Sequence, residues 1–248
     1  MRFLLFLLTL VSLSYGVVSI APVEIGKQPG FSGELEASFE TTRGNTEKDE
    51  YKGALNLKYD NNTSYVTWAE FNANYAEASG VKNSNKTYAH LRYIHTFVDK
   101  RTINWESFLQ SETNEFTKIN ERFLAGGGLR FHLLDASLGN AYIGTGAFYE
   151  HIDYSTQTDR SEDNLRLNLY ISYDKDLTED SQFALVGYYQ PRVDAIDDYI
   201  VSSAAQLKVR VYEKLFLSFK VNYNYDSKPA VGVKKEDFSQ LTSLIYKF

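Results

Sequence analysis

Between Phe31 and Phe248 apolar residues recur at every second position nearly everywhere, and the three–four spacing of an amphipathic helix does not persist. Phe31, Gly33, Leu35, Ala37 and Phe39 alternate with Ser32, Glu34, Glu36, Ser38 and Glu40, and Leu215 to Tyr225 repeats the pattern. Successive strand residues point to opposite faces, so each such segment has one oily and one wet face. Twelve segments read this way, near 31–43, 50–60, 64–78, 87–97, 102–113, 119–133, 141–152, 164–174, 182–191, 198–211, 215–226 and 237–248. Each is ~10 residues or longer, the length of a tilted membrane strand. The fifth is the least regular, because Trp105 and Phe108 fall on opposite faces.

The connections alternate in character. Asp60 to Thr63, Val98 to Arg101, Leu134 to Asn140, Lys175 to Asp180 and Tyr212 to Lys214 read as turns on one side. Gly44 to Asp49, Ser79 to Lys86, Ile152 to Asp163 and Asp226 to Glu236 read as longer, more charged loops on the other. Short turns at one end and long loops at the other are the layout of an outer-membrane barrel. An even strand count returns both termini to the turn side, where the last strand can pair with the first near Phe31 and leave no open edge. The oily faces are aromatic at both ends, with Phe39, Tyr51, Tyr149, Tyr189, Tyr199 and Tyr225 at the loop rim. Phe31, Tyr59, Tyr65, Phe97, Tyr246 and Phe248 fall at the turn rim. A soluble sandwich or lipocalin-like barrel would also alternate, but its apolar face would point inward and need no such rings. The expected fold is all-β: a transmembrane antiparallel up-and-down β-barrel of 12 strands.

The amino-terminal end reads as an export signal. Met1-Arg2 precedes an apolar core from Phe3 to Leu13, too short to span a bilayer, and then small and polar residues. Ser14 and Gly16 fit the positions before a cut, with Val17 and Ser19 as the alternative. This predicts a signal peptide over 1–16 (cut after Gly16 or Ser19), a periplasmic lead over 17–30 and a barrel over 31–248. At the other end Leu244, Tyr246 and Phe248 share the oily face. A half-apolar last strand ending in Phe is the form of an assembly signal for the barrel-assembly machinery. The expected location is therefore the outer membrane of a Gram-negative bacterium, with outer-membrane lipid as a partner. A net charge of -6 argues against a nucleic-acid partner. The absence of Cys removes disulfides and thiol chemistry.

Two stretches carry a family resemblance. Ile119 to Leu134, INERFLAGGGLRFHLL, resembles the Arg-containing, glycine-rich strand of the salt-induced outer-membrane protein family, YdiY-like. The ending from Lys228-Pro229 through Glu236-Asp237 to Tyr246-Lys247-Phe248 resembles that family's closing segment. The likeness spans roughly residues 31–248. It implies an integral outer-membrane barrel of uncharacterised activity, and it brings no family active site.

The wet faces supply the lumen candidates: Arg92, Arg122, Arg130, Arg166, Lys208, Arg210 and Lys220, against Glu36, Glu70, Glu106 and Glu150. Lys52, Lys58, Lys247 and Glu34 share those faces. Two-signed charge with a slight basic excess fits a narrow passive channel for small polar solutes with a weak anion preference. It fits equally a structural or stress-response barrel whose Glu and Arg pair across strands and plug the interior. Twelve strands lie between the ~8 that fill their own interior and the 16 that leave a channel. Gly126, Gly128, Gly144 and Gly146 are expected to face inward on adjacent strands and to seat an aromatic ring such as Tyr142 or Phe148, or to widen the lumen. His90 and His132 face the lumen and His95 the turn rim, none with metal-ligand spacing, so no metal or cofactor is implied. His151 at the loop rim, with Asp153 and Ser161 nearby, is the one arrangement a lipid hydrolase could use. The expectation is no enzyme.

Overall fold

The computed structural model describes residues 23–42, 48–78, 81–97, 102–115, 117–133, 137–156 and 161–248. The candidate signal peptide and both cut sites lie outside them. The twelve strands are β1 (Gly30–Thr42), β2 (Lys48–Asp60), β3 (Tyr65–Ala78), β4 (Val81–Thr96), β5 (Ile103–Asn114) and β6 (Ile119–His132). They continue as β7 (Asn140–Tyr154), β8 (Glu162–Thr178), β9 (Ser181–Pro191), β10 (Tyr199–Tyr212), β11 (Leu215–Asp226) and β12 (Glu236–Lys247). Each pairs antiparallel with its sequence neighbours, and β12 pairs with β1 to close the barrel. Glu34 faces Lys247 and Leu35 faces Tyr246 across the seam. The backbones of Gly33 and Phe248 exchange two hydrogen bonds of 3.0 Å just beside that register. Gly33 leaves room for the far edge of the Phe248 ring, which rests on the seam's outer face.

β4 and β8 run further than the apolar alternation foretold. Ladder hydrogen bonding continues beyond the apolar belt, where polar residues such as Asn85, Lys86, Lys175 and Asp176 carry no hydrophobic period. The length contrast between the two ends is accordingly weaker than expected. Residues 79 and 80 alone separate β3 from β4 at the loop end, while 133–139 separate β6 from β7 at the turn end. β5, the doubtful segment, alternates regularly between buried and more exposed positions, and Phe108 is an apolar side chain inside the lumen.

The exterior is oily and the interior charged. Phe31, Leu35, Phe71, Leu91, Leu109, Leu165, Ile171 and Leu244 are exposed on the outside, whereas Arg92, Arg130, Glu112 and Glu150 are almost wholly buried. An apolar belt of this extent has no place in water; closed hydrogen bonding plus an oily outside is a transmembrane barrel. Rings of aromatics bracket the belt. At the turn end Phe31, Tyr59, Tyr65, Tyr93 and Trp105 follow one another at centroid distances of 4.8, 6.0, 5.4 and 5.2 Å. At the loop end Tyr189, Tyr199 and Tyr225 are spaced by 5.6 Å.

Residues 23–29 form a strap across the turn-end mouth. Val23 and Ile25 pack on Val66, Trp68 and Ile94, three apolar residues on the lumen faces of β3 and β4. Gly26 adopts φ 85°, a left-handed conformation that glycine takes without a Cβ penalty. Its N–H donates to the buried Asp60 carboxylate at 2.8 and 3.0 Å, and Gln28 N–H donates to the same group at 3.4 Å. Lys27 Nζ then lies 3.3 Å from both Asp174 and Asp176 of β8. In a ring of twelve strands β2 and β8 stand opposite one another, so the strap bridges the mouth.

Candidate functional site

The lumen is divided lengthwise by the size of its inward residues. Over most of β4 to β9 the large ones among them, Arg, His, Phe and Tyr, close the space, while Lys86 and Tyr88 of β4 and Gln182, Ala184 and Val186 of β9 border the open side. Phe108, Leu124, Phe148, Tyr170, Val186 and Tyr188 form a buried cluster. Glycine makes room for it: a Cβ on Gly144 would lie 1.8 Å from the Tyr170 ring, and one on Gly126 would lie 2.4 Å from Phe148 Cβ. The ring seated at Gly144 is thus Tyr170, not Tyr142. Gly128 and Gly146 face each other with backbones too close for any side chain.

Ion pairs complete the seal. Arg92 Nη1 lies 3.3 Å from Glu106, which also accepts from Tyr170 Oη at 3.0 Å. The Arg92 guanidinium stacks over Trp68 and Phe108 at 5.5 and 5.1 Å. Nearer the loop end Glu150 sits between Arg122, whose Nη2 is at 2.5 Å, and Arg166, whose Nε is at 2.6 Å. Arg166 continues to Asp198 at 3.0 Å, and Arg192 joins Asp198 at 3.2 Å. Arg130 lies over the Tyr142 ring at 3.5 Å, its three nitrogens without a hydrogen-bond partner among the described residues. Burying ions is costly unless they are paired this closely.

Over β1 to β3 and β10 to β12 the inward residues are mostly Lys, Ser, Asn and Gln, and a cavity of about 730 Å³ remains. Lys52, Lys58, Lys86, Lys208, Lys220 and Lys247 line it, with Glu24, Glu34, Glu36 and Glu70. Amides and hydroxyls fill the positions between, including Asn56, Asn72, Gln206, Asn222 and Ser239. The lining runs from Lys27 and Gln28 of the strap to Ser38, Lys52 and Lys86 toward the loop end. Such a wall can solvate an ion or a small polar solute.

A family model described as "Protein of unknown function, DUF481" matches residues 35–248. The chain belongs to the DUF481 family. That family includes the YdiY-like proteins to which the glycine-rich and closing segments pointed, and the strap precedes the matched region. Comparison with curated proteins finds no match. Among solved structures the NanC porin shares 12% identity at TM-score 0.47, covering 87% of this chain and 97% of its own. The KdgM porin in complex with disordered oligogalacturonate shares 13% at TM-score 0.44, covering 88% and 99%. The translocator domain of autotransporter NalP from Neisseria meningitidis shares 9% at TM-score 0.46, covering 90% of each chain. At these values nothing about activity carries across.

Within this DUF481 barrel the candidate residues part into three groups. Arg92, Arg122, Arg130, Arg166, Glu106 and Glu150 lie in the sealed half, and Lys208, Lys220, Glu36 and Glu70 line the open half. Arg210 lies instead at the turn-end rim, its side chain 43% exposed, 3.3 Å from Asp180 and donating to the Glu179 carbonyl. The strap and Lys86 were missed by sequence reasoning. Lys86 looked like loop because its strand outruns the apolar period, and Val66, Trp68 and Ile94 were apolar residues on a wet face with no assigned partner. Leu244, Tyr246 and Phe248 all point outward at the seam strand. At the loop rim Ser161 donates to Asp153 at 2.7 Å, while His151 Nδ1 pairs with Asp163 at 2.8 Å. Serine and histidine are held by different carboxylates, so the bond a lipid hydrolase needs is not made. Among the described residues no group of three His, Cys, Asp or Glu forms a metal site.

Proposed function

We propose that this chain resides in the outer membrane of a Gram-negative cell and conducts small polar solutes or ions passively through the open half of its lumen. The observation that carries this reading is the polar cavity of about 730 Å³ beside the sealed wall. At ~30 Å³ per liquid water it has room for about two dozen molecules. The outward face of Leu244, Tyr246 and Phe248 supports recognition by the barrel-assembly machinery, and the oily belt supports a lipid surround. The test is planar-bilayer recording of the refolded protein: discrete conductance in potassium chloride is expected, and silence at every salt concentration would overturn it.

A second reading has its own support. The Arg92–Glu106 pair, the Arg122–Glu150–Arg166 chain and the strap together fill much of the lumen, which suits a structural or stress-response barrel. Absence of conductance together with a large stability loss on replacing Arg122 would favour it.

A further inference from the structure

We propose that Lys58, Lys208, Lys220 and Lys247, gathered about Glu34 near the strap, form an anion filter that binds a small carboxylate-bearing solute. This deepens the channel reading by naming a substrate class for the open half-lumen. Charge is partitioned unevenly across the lumen. In the sealed half Arg92, Arg122 and Arg166 are matched by Glu106, Glu150 and Asp198, while Arg130 rests on the Tyr142 ring. Three of the cavity lysines are also matched by carboxylates behind the lining: Lys52 by Glu50, Lys86 by Glu112, and Lys27 by Asp174 and Asp176. The remaining cavity lysines are concentrated in one place.

There Glu34 holds two lysines, one on each oxygen: Lys208 at 2.6 Å on Oε2 and Lys247 at 3.3 Å on Oε1. Lys58 stands diagonally from Glu34, since Glu34 faces Asn56 and Ser32 faces Lys58 across β1 and β2. Its Nζ donates to the neutral Gln28 amide of the strap at 2.7 Å. Lys220 stands diagonally from Lys208, since Lys208 faces Ser218 and Gln206 faces Lys220. Neither Lys58 nor Lys220 makes an ion pair among the described residues. Two further acids lie one inward position away: Asp60 beyond Lys58 on β2, which accepts from the strap N–H groups, and Glu36 along β1, which is hydrogen-bonded by Ser243. Four ammonium groups therefore share a narrow wall with three carboxylates, Glu34, Glu36 and Asp60, the last already held by the strap. A cleft of one prevailing sign concentrates counter-ions, and ringed cations select anions. A carboxylate is the fitting ligand because Glu34 already shows how one is received, an oxygen to each ammonium. The flanking Asn56, Gln206 and Asn222 both donate and accept, which suits hydroxyls on the same solute.

The test pairs a current with a binding measurement. Across a potassium chloride gradient the reversal potential of wild type is expected to show chloride favoured over potassium. Lys58→Gln/Lys220→Gln is expected to lower that ratio about threefold or more, with barrel folding checked by heat-modifiable mobility. A cation-preferring wild type, or an unchanged ratio in the folded double variant, would overturn the filter while leaving the channel reading intact. Should no current pass, the channel reading fails, and calorimetry of the detergent-solubilised protein with sodium gluconate, against glucose, decides the filter alone. Lysine-dependent gluconate binding would support it, and no gluconate binding by wild type would overturn it.

Discussion

Replacing Ile25 by Ser should open the turn-end mouth without unfolding the barrel. Burial of Val23 and Ile25 against Val66, Trp68 and Ile94 contributes about 1.5–3 kcal/mol for each side chain. The bond from Gly26 N–H to the Asp60 carboxylate adds about 1.5–3 kcal/mol as a hydrogen bond to a charged group. The half-exposed Lys27 pair contributes no more than about 1 kcal/mol after solvent screening. Against this, ordering the seven residues 23–29 costs about 1–2 kcal/mol each. Gain and cost thus nearly cancel, and the docked strap is a balanced state. Ile25→Ser removes roughly 2 kcal/mol of burial, which shifts the docked-to-free ratio more than tenfold. Because the strap can simply leave, the loss of barrel stability is capped at the small docking energy. The chain has no cysteine, so a single Ser32→Cys, at a cavity-lining position beneath the strap, gives a clean accessibility probe. A charged thiol reagent added from the turn side should label it about twofold faster in the Ile25→Ser background, because the free fraction rises from about one half to nearly one. Equal labelling rates in the two backgrounds would refute the reasoning.

Three other outcomes follow from the same geometry. Gly33→Leu puts side-chain atoms where the far edge of the exposed Phe248 ring lies, so the terminal ring should swing aside while the seam still closes; unheated gel mobility should show folded barrel for Gly33→Leu and for Phe248→Leu alike. Arg122→Ala removes one of the two cations on Glu150, which keeps Arg166, while Glu112 keeps Lys86, and should cost about 1.5–3 kcal/mol in denaturant unfolding, the worth of a hydrogen bond to a charged group. Burial alone would lower the Lys27 pKa, but Asp174 and Asp176 outweigh it and raise the value above 10.5. The strap contact it makes is therefore fully present below that ordinary value and lost only as pH rises through the folded one. The ratio of labelling rates between Ile25→Ser and the unaltered strap should be flat from neutral pH to mild alkali, the thiolate's own pH dependence cancelling, and Lys27→Met should loosen the strap at neutral pH.

Strand positions could be read from the sequence because a bilayer imposes a simple rule on every residue of a barrel wall: alternate faces meet lipid and lumen. Phe31, Tyr59 and Tyr65 announce one rim, Tyr189, Tyr199 and Tyr225 the other, and Phe248 the seam. The rule lapses beyond the apolar belt, which is why β4 and β8 run longer than their alternation. It is silent on lumen contacts, so Arg210 looked equivalent to Lys208 although it turns to Asp180 at the rim.

By itself the sequence determined the barrel, its strand order and which residues face inward, since period two and backbone satisfaction in lipid leave no other arrangement. Only the tertiary structure decided how the interior is divided. Whether Arg92 meets Glu106, or Lys208 reaches Glu34 across two intervening strands, depends on barrel curvature and side-chain length, and neither has a sequence period. The strap is the clearest case. Val23 and Ile25 have no alternation of their own to reveal them, and their partners on β3 and β4 become neighbours only once the wall has closed around the mouth.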